Sequence, residues 1–223
     1  MLAGSLLGRI LPAEVVGVEL RGDGPCPEMF PEEAAQVANA VAKRRMDYAS
    51  ARHCARKALA ELGIAPVPIL SGSRREPLWP DGVVGSMTHT AGYRAAAVAR
   101  SGRVHTVGID AEPDGPLPDE VLPAVTLEDE RAHLAELAAA RPDIHWDKLL
   151  FSAKESVYKA WYPLARAFLD FEQARLRFDP EGGEFTAELL VPGPAVAGRR
   201  LTGFTGRWLV ADGLVITAIA LPG

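Results

Sequence analysis

The chain has 223 residues, 48% of them apolar and 24% charged, with a formal charge of −5. That is long for one ordinary domain, short for two large ones, and apolar enough to bury a core without staples. The acidic balance argues against a general nucleic-acid binder. Two cysteines in no metal spacing, Cys26 and Cys54, exclude a disulfide framework and point to a reducing cytoplasm.

Met1–Arg9 lacks a charged start, and Arg9 ends its apolar run, so the segment reads as a start into structure rather than a signal peptide. No apolar run approaches the ~20 residues a membrane helix needs. Pro and Gly punctuate the chain at 22–31, 63–82, 113–118, 180–183 and 192–198. Between them, 31–62 reads as helix and 83–87, 93–99 and 104–112 as strands. Further on, 126–140 and 146–168 read as helices, and 173–178, 184–191 and 206–220 as strands, the last a closing hairpin. Each half thus offers helix followed by strands. The expectation is an α+β fold of two similar halves, 1–106 and 107–223, forming one compact unit.

On a helical wheel Val37, Val41, Tyr48, Ala55, Leu59 and Leu62 share one stripe. Arg44 lies inside it, and Arg45, Arg52 and Arg56 flank its edge. A guanidinium facing a core is costly unless paired. Its partner is either a buried carboxylate or an anionic ligand. For the second, Arg44 and Arg52 together make a two-arginine clamp for phosphate oxygens.

The strand from Val83 runs into Ser86-Met87-Thr88-His89-Thr90, where His89 and the Thr88 hydroxyl can donate hydrogen bonds. Taken alone, this is also what an ordinary strand-end histidine looks like. Val107-Gly108-Ile109-Asp110-Ala111-Glu112 places two carboxylates on one face of a strand. Adjacent like charges need a cation, a proton or arginines between them, and a hard divalent ion is one solution. A solvated strand end is the other reading. On the next helix, Glu155 and Lys159 are spaced for a surface ion pair. With Lys154 beside them, they equally suit a metal-plus-phosphate site.

Together these motifs resemble the Sfp/EntD-type phosphopantetheinyl transferases. The resemblance rests on Gly108-Ile109-Asp110-Ala111-Glu112, followed about forty residues later by Phe151-Ser152-Ala153-Lys154-Glu155-Ser156-Val157-Tyr158-Lys159. Upstream, Lys43-Arg44-Arg45 with Arg52-His53 and the Gly85–His89 segment match in the same order. The resemblance implies a pseudo-twofold pair of α+β halves with coenzyme A (CoA) in the cleft between them. It implies that Asp110, Glu112 and Glu155 hold Mg2+ or Mn2+, that Thr88 and His89 contact a CoA phosphate, and that Arg44 and Arg52 grip the 3'-phosphate end. Lys154 and Lys159 would meet the pyrophosphate. The family often has Trp at the position of Phe151, and some relatives place a lysine near Ser71 to reach CoA; here Arg74 and Arg75 stand close by.

The implied reaction is attack by a carrier-protein serine on the β-phosphate of CoA, giving holo carrier and 3',5'-ADP. Asp110, Glu112, Glu155 and Lys159 are its candidate catalytic residues, with Glu155 as base, directly or through a water. The partners implied are CoA and acyl, polyketide or peptidyl carriers, including those of siderophore assembly, with no nucleic acid or membrane. The enzyme is expected to be a monomer. Two other readings stay open on the sequence: another Mg2+-dependent nucleotide phosphohydrolase, and a non-catalytic module that binds CoA or carrier. No P-loop motif is present.

Overall fold

The computed structural model describes residues 4–22 and 24–223, so Met1-Leu2-Ala3 of the N-terminal reading lie outside it. In chain order the elements are β1 (Val16–Arg21), α1 (Pro31–Gln36), α2 (Ala42–Glu61), β2 (Val83–Thr90), β3 (Tyr93–Arg100), β4 (Val104–Pro113), α3 (Leu122–Val125), α4 (Glu128–Ala140) and α5 (Trp146–Ala165). There follow β5 (Ala174–Asp179), β6 (Glu184–Leu189), β7 (Ala195–Val196), β8 (Arg199–Arg200), β9 (Gly203–Ala211) and β10 (Leu214–Pro222). The fold is mixed α+β, as the sequence implies.

The N-terminal half is a three-stranded antiparallel sheet, β1-β3-β2, with α2 packed on β3 and β1. The C-terminal half is a five-stranded sheet, β4-β10-β9-β6-β5, with α5 packed on β4 and β10. Each long helix covers its own core. Cys54, Ala55, Ala58 and Leu59 are the buried face of α2, and Leu149, Leu150, Ala153 and Val157 that of α5. A third core joins the halves. In it Tyr93, Ala95 and Ala97 of β3 meet Val107, Ile109 and Ala111 of β4 and Ile216 of β10.

The seam between the sheets is built from side chains. Where β2 runs beside β4, the Ile109 N–H donates to Ser86 Oγ (3.1 Å) and the Ala111 N–H to Thr88 Oγ1 (3.2 Å). Two hydroxyls thus satisfy backbone donors that a ladder would otherwise pair.

The expected helix over 31–62 is two helices. The chain turns at Val37–Val41, and Val41 stands 73% exposed just ahead of α2 instead of joining the core stripe. The first helix is fixed separately. Glu33, wholly buried, accepts from the Phe30 and Ile69 N–H groups and from Arg56. The apolar alternation Val16, Val18, Leu20 marks a strand, β1, beyond those expected.

Candidate functional site

Strand β4 alternates by face. Val107, Ile109 and Ala111 point into the core between the halves, which leaves Thr106, Gly108, Asp110 and Glu112 on the side of α5. Gly108 sets how close that helix comes. A Cβ there would collide with the Ser156 carbonyl oxygen and press on the Ala160 N–H, so only a glycine lets α5 lie directly on the strand. Thr106 closes the same contact by donating to the Ala160 carbonyl at 2.8 Å.

This approach brings Lys159 onto β4. Its Nζ donates to Asp110 Oδ1 at 2.7 Å and to the Ile109 carbonyl at 3.1 Å. Asp110 is 4% exposed and also accepts from Thr88 Oγ1 at 3.2 Å. Its second oxygen, Oδ2, is buried with no hydrogen-bond partner among the described residues. Such an atom pays its desolvation without return unless a ligand arrives. Glu112 and Glu155 are partly buried beside it. Burial raises the pKa of both, with Asp110 adding repulsion to each and Glu155 adding more to Glu112, against the pull of Lys159.

The cleft opens where the two sheets part. It encloses about 520 Å³ and is lined by Arg44 and Arg52 from α2, Ser71 and its loop, Gly85 and His89 from β2, and Glu155 and Lys159 from α5. A larger concavity of about 1010 Å³ lies against β6, β9 and β10 and carries none of these residues.

Two family models match. That of the 4'-phosphopantetheinyl transferase N-terminal domain covers residues 32–99, and that of the 4'-phosphopantetheinyl transferase superfamily covers 106–203. The chain is 62% identical to 4'-phosphopantetheinyl transferase Svp of Streptomyces mobaraensis, over 89% of this chain and 81% of that protein. It is 47% identical to 4'-phosphopantetheinyl transferase PptT of Mycobacterium tuberculosis, over 99% of this chain and 100% of that protein. The chain belongs to the 4'-phosphopantetheinyl transferase superfamily. It is also 38% identical to enterobactin synthase component D of Salmonella typhi, over 56% of this chain and 52% of that protein. This transferase therefore moves 4'-phosphopantetheine from CoA to a carrier-protein serine.

Most of the sequence candidates meet in the transferase's cleft. Arg44 is half-buried, and its side chain makes no ion pair or hydrogen bond with another described residue. Arg52 lies inside the core stripe rather than on its edge, 5% exposed. Its guanidinium stacks on the Tyr48 ring at 3.2 Å and donates to the Ile69 carbonyl (2.7 Å) and Ser71 Oγ (2.8 Å). All three partners are neutral, and burial lowers its pKa to about 10. Glu33 attracts it, but no carboxylate among the described residues bonds to it, which leaves its charge for a ligand. His89 ends β2 with accessible surface but protein on several sides. Desolvation lowers its pKa, and Arg44, Lys159 and Lys43 reinforce this against the attraction of Asp47.

Two candidates need correction. Lys154 does not reach the cleft. Its ammonium is buried on the far side of α5, donating to Glu130 Oε2 at 2.8 Å and to the Phe171 carbonyl at 2.7 Å. The reason is angular: at 100° per residue Lys154 stands roughly 140° around the helix from Lys159. It falls on the stripe of Leu150, Val157 and Trp161, which pack in the C-terminal core. Thr88 is at the site, but its one hydroxyl proton goes to Asp110, so it orients that carboxylate rather than standing free for phosphate. Asp47 is a cleft residue that sequence reasoning missed. It forms a buried ion pair with Arg94 (2.9 Å) beneath the basic wall.

Among the described residues no three His, Cys, Asp or Glu side chains already converge as a metal cage. The donor set nevertheless fits a hard divalent cation. Asp110 offers a bare buried oxygen, and the flanking carboxylates are held together against their own repulsion. Mg2+ keeps most of its waters and needs only one or two carboxylates when phosphates complete its shell. A closed protein cage is therefore not required.

Proposed function

We propose that the cleft performs the transfer with Asp110, Glu112 and Glu155 holding Mg2+ against the diphosphate of CoA. When bound, the ion would neutralise charge on the transferring phosphate. Arg44, Arg52 and His89 bind the phosphates and fix the nucleotide end. The bare Arg44 guanidinium and the neutral partners of Arg52 support this, since both leave positive charge for an anion. Lys159 reaches the floor of the site from α5 and stabilises charge that develops on the phosphate oxygens. The serine Oγ–P bond forms as the P–O bond to 3',5'-ADP breaks. Glu155 is the candidate to take the serine proton, directly or through a water.

The single observation that carries this reading is the buried Oδ2 of Asp110, without a partner among the described residues, on a carboxylate paired with Lys159, which lines a basic cleft. Residues 1–106 and 107–223 are read as the two halves of one catalytic unit. Both walls of the cleft come from one chain and both cysteines are free, which supports a monomeric, cytoplasmic enzyme.

The test is intact-mass spectrometry of an apo carrier protein incubated with the enzyme, CoA and Mg2+. A gain of the phosphopantetheine mass that chelator abolishes is the expected result. Transfer that persists in chelator would overturn the metal assignment. Tight CoA binding with no transfer would return the binding-module reading.

A further inference from the structure

The face of β10 that meets α5 reads Val215, Thr217, Ile219, and their register partners on β4 are Glu112, Asp110 and Gly108. Thr217 therefore stands beside Asp110 on the same face of the sheet. It interrupts an apolar row and is wholly buried. Two more hydroxyls meet it from the helix. Ser152 and Ser156, one turn apart on α5 and equally buried, approach Thr217 Oγ1 at 3.1 and 2.6 Å. Thr217 donates to the Ser152 carbonyl at 3.0 Å, which leaves its lone pairs to accept from both serines. Ser156 also reaches the Thr217 carbonyl at 3.2 Å. None of the three lines the cleft.

Packing alone asks for none of this. A valine would fill the volume of Thr217 and continue the row of Val215 and Ile219, whereas a buried hydroxyl costs its desolvation unless it is bonded. What the hydroxyls add is direction. Apolar contact is non-directional, but hydrogen bonds of set length and angle select one rotation and one height of the helix on the strand. The residues that depend on that setting are on the same turns of α5. Glu155 lies between the two serines in sequence, and Lys159 follows one turn on, within roughly 60° of both around the helix axis.

We propose that Thr217, through Ser152 and Ser156, is a positioning residue for the transfer: it fixes α5 against β10 so that Glu155 and Lys159 meet Asp110 in the geometry the reaction needs. It acts through the helix and not on the substrate. Thr217 lies in the last fifty residues, which carry strand pattern but no motif. Its place opposite Asp110 follows only from the register of β10 on β4. The inference rests on the roles assigned to Asp110, Glu155 and Lys159 above.

The test uses the full chain, CoA, Mg2+ and an apo carrier protein. Thr217→Val is expected to lower kcat about tenfold, the scale of a lost partner behind a metal-binding group, and to leave KM for CoA and for the carrier within about twofold of the wild type. The rise in melting temperature on adding Mg2+ should shrink with it. Thr217→Ser keeps the hydroxyl and drops the methyl, so it should restore kcat even where it melts below the wild type. Ile219→Val, on the same strand and in the same core, is the control for lost packing: it should melt lower and keep kcat. Should Thr217→Val not fold, Ser152→Ala, which removes one donor and keeps a strong helix former, should show the same split. A Thr217→Val enzyme that melts lower yet turns over at the wild-type kcat, with an unchanged response to Mg2+, would overturn the proposal. So would a Thr217→Ser enzyme as slow as Thr217→Val, since the methyl would then be what matters. No chelator-sensitive transfer by the wild type would instead sink the assignment on which the proposal rests, and the proposal with it.

Discussion

Two carboxylates in the C-terminal half, Glu130 and Asp110, are both nearly inaccessible, and both are paired with a lysine of α5. Glu130 is complete. Its Oε1 accepts from the Leu176 N–H at 2.7 Å, and its Oε2 accepts from the Leu127 N–H at 2.7 Å and from Lys154 at 2.8 Å. Asp110 is incomplete: Oδ1 is doubly served by Lys159 and Thr88, and Oδ2 by nothing among the described residues. The same ion-pair chemistry on one helix thus builds a tie in one place and a socket in the other. A satisfied buried pair fixes geometry. An unsatisfied one keeps free energy in reserve for a ligand.

The largest expected effect comes from the socket. Asp110→Asn keeps the shape and removes the charge. It should lower carrier modification by about 10³-fold, the scale of losing a preorganised electrostatic group. Its melting temperature should stay near that of the wild type. An active Asp110→Asn enzyme would show that the socket is only another tie. The tie is broken differently. Lys154→Met leaves Glu130 charged and buried and should cost about 3–5 kcal/mol in urea unfolding. Adding Glu130→Gln should recover most of that loss. Lys159→Met likewise strips a buried carboxylate, Asp110, of its ion pair, so it should cost stability and transfer together, whereas Lys154→Met/Glu130→Gln should keep transfer. If Lys154→Met/Glu130→Gln regains stability but not activity, Lys154 has a role in the cleft that its burial denies.

Much of the fold was legible in the sequence because β2, β3, β4 and the closing hairpin carry clear apolar alternation between Gly and Pro turns. The break before α2 was not. Val37 and Val41 fit a continuous wheel, and Asn39 is the sole turn-former between them, so what ends the first helix is the tertiary grip on Glu33. Asp110, Glu112, Glu155 and Lys159 were visible because faces follow from spacing. The place of Lys154 was legible too, on the stripe of Leu150, Val157 and Trp161, but a functional motif drew it toward the ligand. The neutral partners of Arg52 and the bare oxygen of Asp110 were out of reach, since both depend on distant loops and strands meeting in space.

Gly108 sharpens the comparison at a smaller scale. It sits between tie and socket, where α5 rests on β4. In Gly108→Ala the new methyl presses on the Ser156 carbonyl and the Ala160 N–H, so the helix must lift. Overpacking of this kind costs about 1–3 kcal/mol. Lifting α5 should also withdraw Lys159 from Asp110, so transfer should fall further than stability alone explains. A variant that loses stability but retains full kcat would show that the socket tolerates a shifted helix.

The smallest expected effect is the most specific to the socket. The pKa values of Glu112 and Glu155 are raised in the folded protein, chiefly by burial and then by neighbouring carboxylates. A carboxyl raised in this way favours folding below its unfolded pKa and loses that contribution as pH rises through its folded pKa. At pH 8, in chelator, the ionised Glu155 is therefore a burden on the fold. Glu155→Gln should melt about 1–3 °C above the wild type there, the scale of a sub-kilocalorie to one-kilocalorie change in a chain of this size. The gain should shrink as pH falls and vanish near pH 4, where the wild-type carboxyl is protonated. Mg2+ should invert the order at pH 8, because an ion bound only by the folded wild type stabilises it by mass action. Glu130→Gln, by contrast, should show no alkaline gain and should respond to Mg2+ as the wild type does, since its socket is intact. If Mg2+ raises the melting temperature of Glu155→Gln as much as that of the wild type, the ion is held elsewhere and Glu155 is left with the proton alone.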